Sequence, residues 1–228
     1  MADLALYRHG KQQMEHLLAD LDDADLRRTC EACPEWTIRD VAAHHIHFLG
    51  AVLADDVPRT MFDAIVAPDT DARRSASDDR NRWTEAGVAA RRDLPLADLL
   101  REWDALESSM SDDSASTAID LTMHLYDIKE TLGEGGRDAA LILDALRSYH
   151  RLQSTRFKRL GLAPLQLVCR DTGTVIEREG AEFAVGGEAY DLLRCIGGRR
   201  SRRQADTLLD WGCTAEPARH HFSVYGWA

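Results

Sequence analysis

Apolar residues recur with the helical period of about 3.6 positions through most of the first 160 residues. One helix has a strong start signal at Thr37, because Asp40 three residues later completes a capping box. Pro58 ends that helix, since proline disfavours helical backbone in the residue before it. The Asp-rich stretch at 21–36 is predicted to be a connection, and the polar run at 69–80 a mobile loop. The predicted helices cover residues 4–21, 37–57, a region after residue 80, about 117–132 and 138–160. The region after residue 80 has Leu94-Pro95 as a possible interruption and its clearest apolar stripe over Leu96–Leu106.

The pattern changes after residue 160. The segments LQLVCR and TVIERE flank the turn Asp171-Thr172-Gly173, and AEFAV follows a further glycine, which predicts three short strands. A helical segment at 188–196 comes next. We therefore predict an α+β protein without internal repeats, with a helical bundle over residues 1–160 and a small α/β domain over residues 161–228.

The composition indicates which kinds of partner and which cellular location to expect. The 228 residues carry 28 Lys and Arg against 39 Asp and Glu, and this net charge of -11 repels a phosphate backbone, so nucleic acid is not an expected partner. No run of about 18 apolar residues is present to span a membrane. The first residues are charged where a secretion signal needs an apolar stretch. The five scattered cysteines are therefore expected to be thiols of a cytoplasmic protein.

Asp120 and His124 stand four positions apart on the fourth predicted helix, so their side chains share one face. A carboxylate and an imidazole are a common ligand pair for zinc and related ions, and helical bundles hold such ions between facing helices. Asp127 and Thr131 continue the same stripe, beside an apolar stripe over Leu121–Leu132. The alternative is a stripe that faces solvent, and the absence of Lys and Arg from it argues against that alternative.

The second predicted helix offers three histidines, His44, His45 and His47. His45 projects nearest the apolar centre of this helix, His44 lies at the rim of that centre, and His47 points away. Periodicity therefore selects His45 as the buried histidine, but it does not select a metal ligand.

Three segments of the chain carry a resemblance to a known family. Residues Cys33–His44 (CPEWTIRDVAAH) resemble the opening motif of the mycothiol-dependent maleylpyruvate isomerase family, which belongs to the DinB-like superfamily of metal-binding four-helix bundles. Residues Asp120–Ile128, followed by Leu132-Gly133, resemble its second motif. Residues Leu192–Ser201 resemble the Leu and Gly-Arg segment of its C-terminal region. The resemblance covers most of the chain, with residues 55–115 the least supported.

The resemblance implies metal ligands at three positions. The family's ligands are a histidine that ends the first motif and an acidic residue and a histidine in the second, which correspond to His44, Asp120 and His124. The chain departs from the family at Asp120, where the isomerases have Glu, and at His45, where an apolar residue is usual. His45 is therefore either a group that supports the ligands or an alternative ligand. The histidine-rich set favours zinc, and nickel, iron or cobalt would also suit it.

The resemblance also implies a chemistry. A low-molecular-weight thiol, mycothiol in actinobacteria, would bind the metal as the nucleophilic thiolate and add to an electrophilic small molecule. The protein would then be a thiol S-transferase or an isomerase. Arg199 matches the family's Gly-Arg position and is the predicted catalytic and substrate-binding arginine. Arg200 is a second predicted substrate-binding residue, because the arginine fork suits a carboxylate.

Other interpretations of the same residues stay open. One is a non-catalytic metal-binding stress or regulatory protein of the same fold. Another keeps the fold without a metal and uses Asp120 and His124 as an acid–base pair. Cys30 and Cys33 form a C-x-x-C pair, but the flanking sequence is helical and no second pair completes a zinc site, so a redox or metal role is not the favoured interpretation.

Overall fold

The computed structural model describes residues 4–67 and 70–227, and within them the chain forms eleven α-helices and five strands. The predicted α+β class is confirmed. The helices are α1 (Leu4–Ala19), α2 (Asp23–Leu26), α3 (Ile38–Leu53), α4 (Arg59–Val66), α5 (Thr70–Ala89), α6 (Leu96–Glu107), α7 (Ala118–Leu132), α8 (Ala139–Leu160), α9 (Ala189–Ile196), α10 (Arg202–Leu208) and α11 (Glu216–His220). The strands are β1 (Thr29–Cys30), β2 (Cys33–Thr37), β3 (Leu165–Cys169), β4 (Thr174–Ile176) and β5 (Phe183–Gly187).

The chain groups into two compact units. The first comprises Met1–Pro58 with Asp78–Gly136, and the second Arg59–Ser77 with Arg137–Ala228. Helix α5 therefore contributes residues to both. This grouping differs from a division near residue 160, because α8 packs on α9 and α4 packs on α8. The domain boundary at residue 160 stays a prediction.

Helices α1, α3, α6 and α7 pack together in the first unit, which also contains α2 and part of α5. Helix α1 packs on α7, and α3 packs on both α6 and α7. Helix α3 begins at the predicted capping box: the hydroxyl of Thr37 accepts the Asp40 backbone N–H at 3.2 Å, and the Asp40 carboxylate accepts the Thr37 N–H at 3.0 Å. This reciprocal pair satisfies two of the backbone donors that a helix start leaves without a partner. It fixes where the helix that carries the three histidines begins.

Helix α7 is buried on two adjacent stripes. The apolar stripe at Leu121, Leu125 and Ile128 is fully buried, as predicted. The polar stripe beside it is also buried, with His124 5 % and Asp127 0 % exposed. Because buried polar groups need partners, this stripe is not a solvated face, and its side chains must bond to one another or to neighbouring elements.

The second unit holds the predicted strands and helices around a small mixed sheet. The strand order is β4-β3-β5, with β3 antiparallel to β4 and parallel to β5. Inward residues alternate along β3, where Leu165, Leu167 and Cys169 are fully buried. Helix α9 follows β5 and covers β3, β5 and α8.

Two segments differ from their predicted conformation. The polar run at 69–80 was expected to be a mobile loop, but from Thr70 it is part of helix α5, with Asp69 outside the described residues. The stretch at 21–36 contains the short helix α2 and the antiparallel β1-β2 hairpin rather than a plain connection. Among the described residues of these two segments the buried ones are Ala76, Leu26 and Cys30. Three such positions are too few to give a hydrophobic periodicity.

Among the helices of residues 4–67 and 70–227, none is long and apolar enough to cross a membrane.

Candidate metal centre

The structure brings His44 of α3 together with Asp120 and His124 of α7. The Nε2 atom of His44 lies 3.5 Å from Oδ1 of Asp120, and Nε2 of His124 lies 3.5 Å from the same oxygen. One ligand atom from each of the three residues lies within 4.8 Å of the other two. Both imidazoles are buried, at 6 % and 5 % exposure. The three predicted ligands therefore converge on one point inside the helical unit.

The distances suit a shared ion better than direct hydrogen bonds. Charge-assisted N–H···O bonds are about 2.7–2.9 Å long, clearly shorter than the 3.5 Å found here. Zinc holds imidazole nitrogen at about 2.0–2.1 Å and carboxylate oxygen at about 2.0–2.2 Å, so two ligand atoms of a tetrahedral site lie about 3.4 Å apart. Two imidazole nitrogens and one carboxylate oxygen also form a donor set that zinc favours. The residues present fit a divalent metal.

The charges of the centre are strongly coupled. Burial alone would lower the pKa of His124, but the carboxylates of Asp120 and Asp127 outweigh it and raise that pKa to about 9. Burial would raise the pKa of Asp120, yet the neighbouring His124 and His44 hold it well below its usual range. Burial lowers the pKa of His44, with Asp120 opposing the shift. In the absence of an ion, His124 therefore carries a proton at neutral pH.

Asp127 supports His124 through the ring nitrogen that does not face Asp120. Its Oδ2 atom lies 3.0 Å from Nδ1 of His124, and its side chain is fully buried. A carboxylate on one nitrogen of an imidazole fixes the tautomer and leaves the other nitrogen for a metal. Here the other nitrogen is Nε2, the atom that faces Asp120.

His45 supports Asp120 in the same manner. Its Nδ1 lies 2.8 Å from Oδ2 of Asp120, and its Nε2 lies 3.1 Å from the hydroxyl of Tyr7, which in turn accepts the indole N–H of Trp103 at 2.7 Å. An indole nitrogen only donates, so the Tyr7 proton points to Nε2 and the His45 hydrogen is on Nδ1. Burial raises the pKa of Tyr7, so its hydroxyl keeps that proton. With both ring nitrogens engaged, His45 has the geometry of a supporting group and not of an alternative ligand.

His44 is supported by packing rather than by a hydrogen bond. Its Nδ1 is buried and has no hydrogen-bond partner among the described residues. Its ring lies 4.9 Å from that of Trp36 and 4.9 Å from that of His124, centroid to centroid. Metal-binding histidines usually donate their second N–H to a partner, so His44 is held less firmly than His124.

A second group of possible ligands adjoins the first. Cys33, His124 and Asp127 also place one donor atom each within 4.8 Å of one another. The Asp127–His124 contact inside this group is a hydrogen bond of 3.0 Å, which is the arrangement of a supporting pair. The group at His44, Asp120 and His124 is therefore the better metal candidate.

Three further residues were considered from the sequence. His47 packs its ring against Trp83 at a centroid distance of 4.3 Å. Arg199 and Arg200 belong to the second unit, where Arg199 donates to the Gly197 carbonyl at 3.0 Å and Arg200 to the Arg199 carbonyl at 2.8 Å. The catalytic and substrate-binding roles of these two arginines stay predictions.

Three supporting residues were not assigned from the sequence. Asp127 had a usable signal, because it lies on the same polar stripe of α7 as His124. Tyr7 and Trp103 had no such sequence signal, because they reach His45 from α1 and α6 and lie 38 and 58 residues from it along the chain.

A helical unit with facing histidine and carboxylate side chains on two of its helices has the arrangement in which helical bundles can hold a metal ion. The sequence model described as the mycothiol maleylpyruvate isomerase N-terminal domain matches residues 7–129, more than half of the chain. The chain therefore belongs to this family.

Two solved structures are similar to the chain. A crystal structure of the mycothiol-dependent maleylpyruvate isomerase shares 17 % sequence identity, with 86 % of this chain and 88 % of that chain covered and a TM-score of 0.46. A histidine-to-alanine mutant of that isomerase shares 18 % identity over the same shares of both chains, with a TM-score of 0.48. No curated protein sequence gives a significant match.

Proposed function

We propose that this protein is a metal-dependent enzyme that uses a low-molecular-weight thiol of the mycothiol type on an electrophilic small molecule, as a thiol S-transferase or an isomerase. His44, Asp120 and His124 would hold the ion, and zinc is the proposed metal. The observation that carries the proposal is the pair of 3.5 Å distances from the two imidazole nitrogens to one oxygen of Asp120. Membership of the mycothiol maleylpyruvate isomerase family supports the thiol as cosubstrate.

The proposed chemistry follows from the coordination position that three protein ligands leave open on the metal. Three protein ligands are typical of catalytic zinc sites, which keep a fourth position for a reacting molecule. A divalent ion held by these residues would supply thiolate at neutral pH, because metal coordination lowers the pKa of a thiol. Asp127 and His45 keep the ligand atoms of His124 and Asp120 aimed at the same point. Arg199 and Arg200 are proposed to bind a carboxylate of the substrate, for which guanidinium groups are suited.

The acid–base interpretation of Asp120 and His124 has less support. A direct proton transfer needs heavy atoms within about 2.6–3.2 Å. The Oδ1–Nε2 distance of 3.5 Å is outside that range, and the Nδ1 side of His124 already faces Asp127. The arrangement suits two ligands of one ion better than a proton-transfer pair.

Metal analysis and a thiol assay together test the proposal. Protein purified without added ions is expected to contain one zinc per chain, and H44A and H124A are expected to contain much less. The metal-loaded protein is then incubated with mycothiol and maleylpyruvate, and with a panel of other electrophiles, and conversion is followed with and without the thiol. Thiol-dependent conversion that is lost in metal-free protein and in H124A is the expected result.

Each other outcome has a distinct meaning. Wild-type protein that binds no metal under these conditions would refute the metal-dependent mechanism. Stoichiometric metal without thiol binding or conversion would instead identify a non-catalytic metal-binding protein. The matched control is H47A, on the same helix but outside the centre, which is expected to keep both metal and activity because its ring packs on Trp83.

A further inference from the structure

The β1-β2 hairpin places two thiols directly opposite each other. Cys30 and Cys33 are partners in the antiparallel register, separated by a two-residue turn. Opposed residues of an antiparallel pair have Cα atoms about 4.5–5.5 Å apart and side chains on one face. Disulfides span Cα separations of about 4.4–6.8 Å, so the register places this pair within the range of a disulfide.

The two thiols are unequal in accessibility. Cys30 is fully buried, whereas Cys33 is half-buried and reachable from solvent. The hydroxyl of Thr131 donates to the Cys30 sulfur at 3.6 Å, and the Cys33 sulfur lies 4.0 Å from Oδ2 of Asp127. An outer thiol with an inner thiol behind it is the arrangement in which one sulfur is attacked or attacks and the other resolves the product.

The environment of this pair also differs from that of the other buried thiols. A hydrogen bond from the Cys33 thiol lowers the pKa of Cys30 to about 6, against the opposing effect of burial. Burial raises the pKa of Cys169 to about 11 and that of Cys195 to about 12. Cys30 is thus a more acidic thiol than Cys169 and Cys195, whose raised pKa values keep them protonated and unreactive at neutral pH.

We propose that Cys30 and Cys33 form a dithiol–disulfide exchange site that reacts with low-molecular-weight disulfides. Cys33 is the accessible, attacking thiol and Cys30 the resolving thiol. The proposal concerns the two sulfurs of the hairpin and does not depend on metal binding or on the proposed enzymatic function.

The exchange balances in two steps. The Cys33 proton passes to the Cys30 thiolate to which it is hydrogen-bonded, and the Cys33 thiolate attacks one sulfur of a disulfide R–S–S–R. A Cys33–S–S–R bond forms and R–S⁻ leaves, taking the proton from Cys30. The Cys30 thiolate then attacks the Cys33 sulfur, forms the Cys30–Cys33 disulfide and releases the second R–S⁻. The protein dithiol is oxidised, and the disulfide reagent is reduced to two thiols.

The site has a structural link to the metal centre. Asp127 Oδ2 faces both the Cys33 sulfur and Nδ1 of His124. Disulfide formation removes the thiol of Cys33 from beside this carboxylate. Oxidation of the hairpin therefore changes the surroundings of the residue that orients His124.

The test is differential alkylation of the folded, full-length protein. Reduced protein is treated without oxygen with bis(2-hydroxyethyl) disulfide, a neutral reagent that the net charge of -11 does not repel. Unreacted thiols are then alkylated, and the protein is analysed by intact mass and peptide mapping. Wild type is expected to lose alkylation at Cys30 and Cys33 together, in a peptide that contains their internal disulfide, and dithiothreitol is expected to restore both.

Variants separate the two roles. C30S is expected to accumulate the mixed disulfide at Cys33, because no resolving thiol remains. C33S is expected to leave Cys30 unmodified, because Cys30 is buried. C213S, which removes the exposed cysteine, is the matched control and is expected to form the internal disulfide as wild type does.

Two results would overturn the proposal without recourse to any variant. One is wild-type protein in which the reagent modifies Cys213 alone and leaves the hairpin thiols fully alkylatable. The other is an internal disulfide that forms only when the protein is unfolded in urea. Circular dichroism before and after oxidation shows whether the reacting protein was folded.

Discussion

Replacement of His45 by Phe tests whether this residue supports a metal ligand. The substitution keeps the ring and the packing of a fully buried side chain, and removes the Nδ1–H that faces Oδ2 of Asp120 at 2.8 Å. It also removes the acceptor of the Tyr7 hydroxyl. The helical unit is therefore expected to keep its fold, with Asp120 less firmly held.

The magnitude follows from the lost hydrogen bond. Removing a partner that orients a metal ligand typically weakens metal binding by about 10–100-fold, which corresponds to about 1.4–2.7 kcal/mol. A hydrogen bond to a charged group contributes about 1.5–3 kcal/mol, in agreement with that range. We therefore expect H45F to bind zinc about 10–100-fold more weakly than wild type, with the stoichiometry unchanged.

Competition with a chromophoric chelator measures the affinity, and matched variants isolate the cause. H45N places an amide N–H where Nδ1–H was and is expected to recover most of the affinity. Y7F removes only the outer hydroxyl, so its loss of affinity is expected to be below that of H45F. An H45F affinity within twofold of wild type would refute the supporting role. A complete loss of stoichiometric binding, as expected for H124A, would show instead that His45 is itself a ligand.

Three further predictions concern pH and stability. The pKa of His124 is raised to about 9 in metal-free protein from an ordinary value of 6.5. The contribution of protonated His124 to the stability of the fold is therefore complete below pH 6.5 and is lost as pH rises through about 9. Zinc affinity is expected to rise over the same interval, because the ion displaces this proton. Urea unfolding and chelator competition between pH 6 and 10 measure both effects, and a zinc affinity independent of pH would contradict them. T37A removes the cap of α3 and is expected to lower the free energy of unfolding by about 1 kcal/mol. A Cβ at Gly87 would lie 2.0 Å from the His47 ring, so G87A is expected to cost about 1–3 kcal/mol in urea unfolding. At Gly50 the nearest contact is 3.7 Å, so G50A is expected to stabilise α3 by about 0.5–1 kcal/mol; equal effects of the two alanines would contradict this account.

Local signals predicted much of the fold. The capping box at Thr37 and the apolar stripes gave α3, α6, α7 and α8 within a few residues, and the alternating segments gave β3, β4 and β5. These elements follow from interactions between residues close in sequence, so a single sequence contains the information. The first half of α5 was predicted as a loop because its described buried residue, Ala76, is small and barely changes the hydrophobic pattern.

The candidate centre was predictable in part. The four-residue spacing of Asp120 and His124 placed both on one face of α7, and the family motif selected His44 over His45. The structure shows why the two histidines differ: His44 directs Nε2 at Asp120 Oδ1, while both nitrogens of His45 are engaged by Asp120 and Tyr7. Adjacent residues on a helix point about 100° apart, so their partners depend on which helices pack against each side.

The sequence by itself therefore determined most of the long helices, the strands of the second unit, the family and the residues that are candidates for the ion. Only the tertiary structure decided which imidazole nitrogen faces which carboxylate oxygen: Oδ1 of Asp120 faces the candidate ligands and Oδ2 faces His45. It also decided that the thiols of Cys30 and Cys33 lie opposite each other, next to Asp127. These facts depend on packing between α1, α3, α6, α7 and the hairpin. Contacts between residues far apart in sequence arise from the summed burial of many side chains, and no local spacing records them.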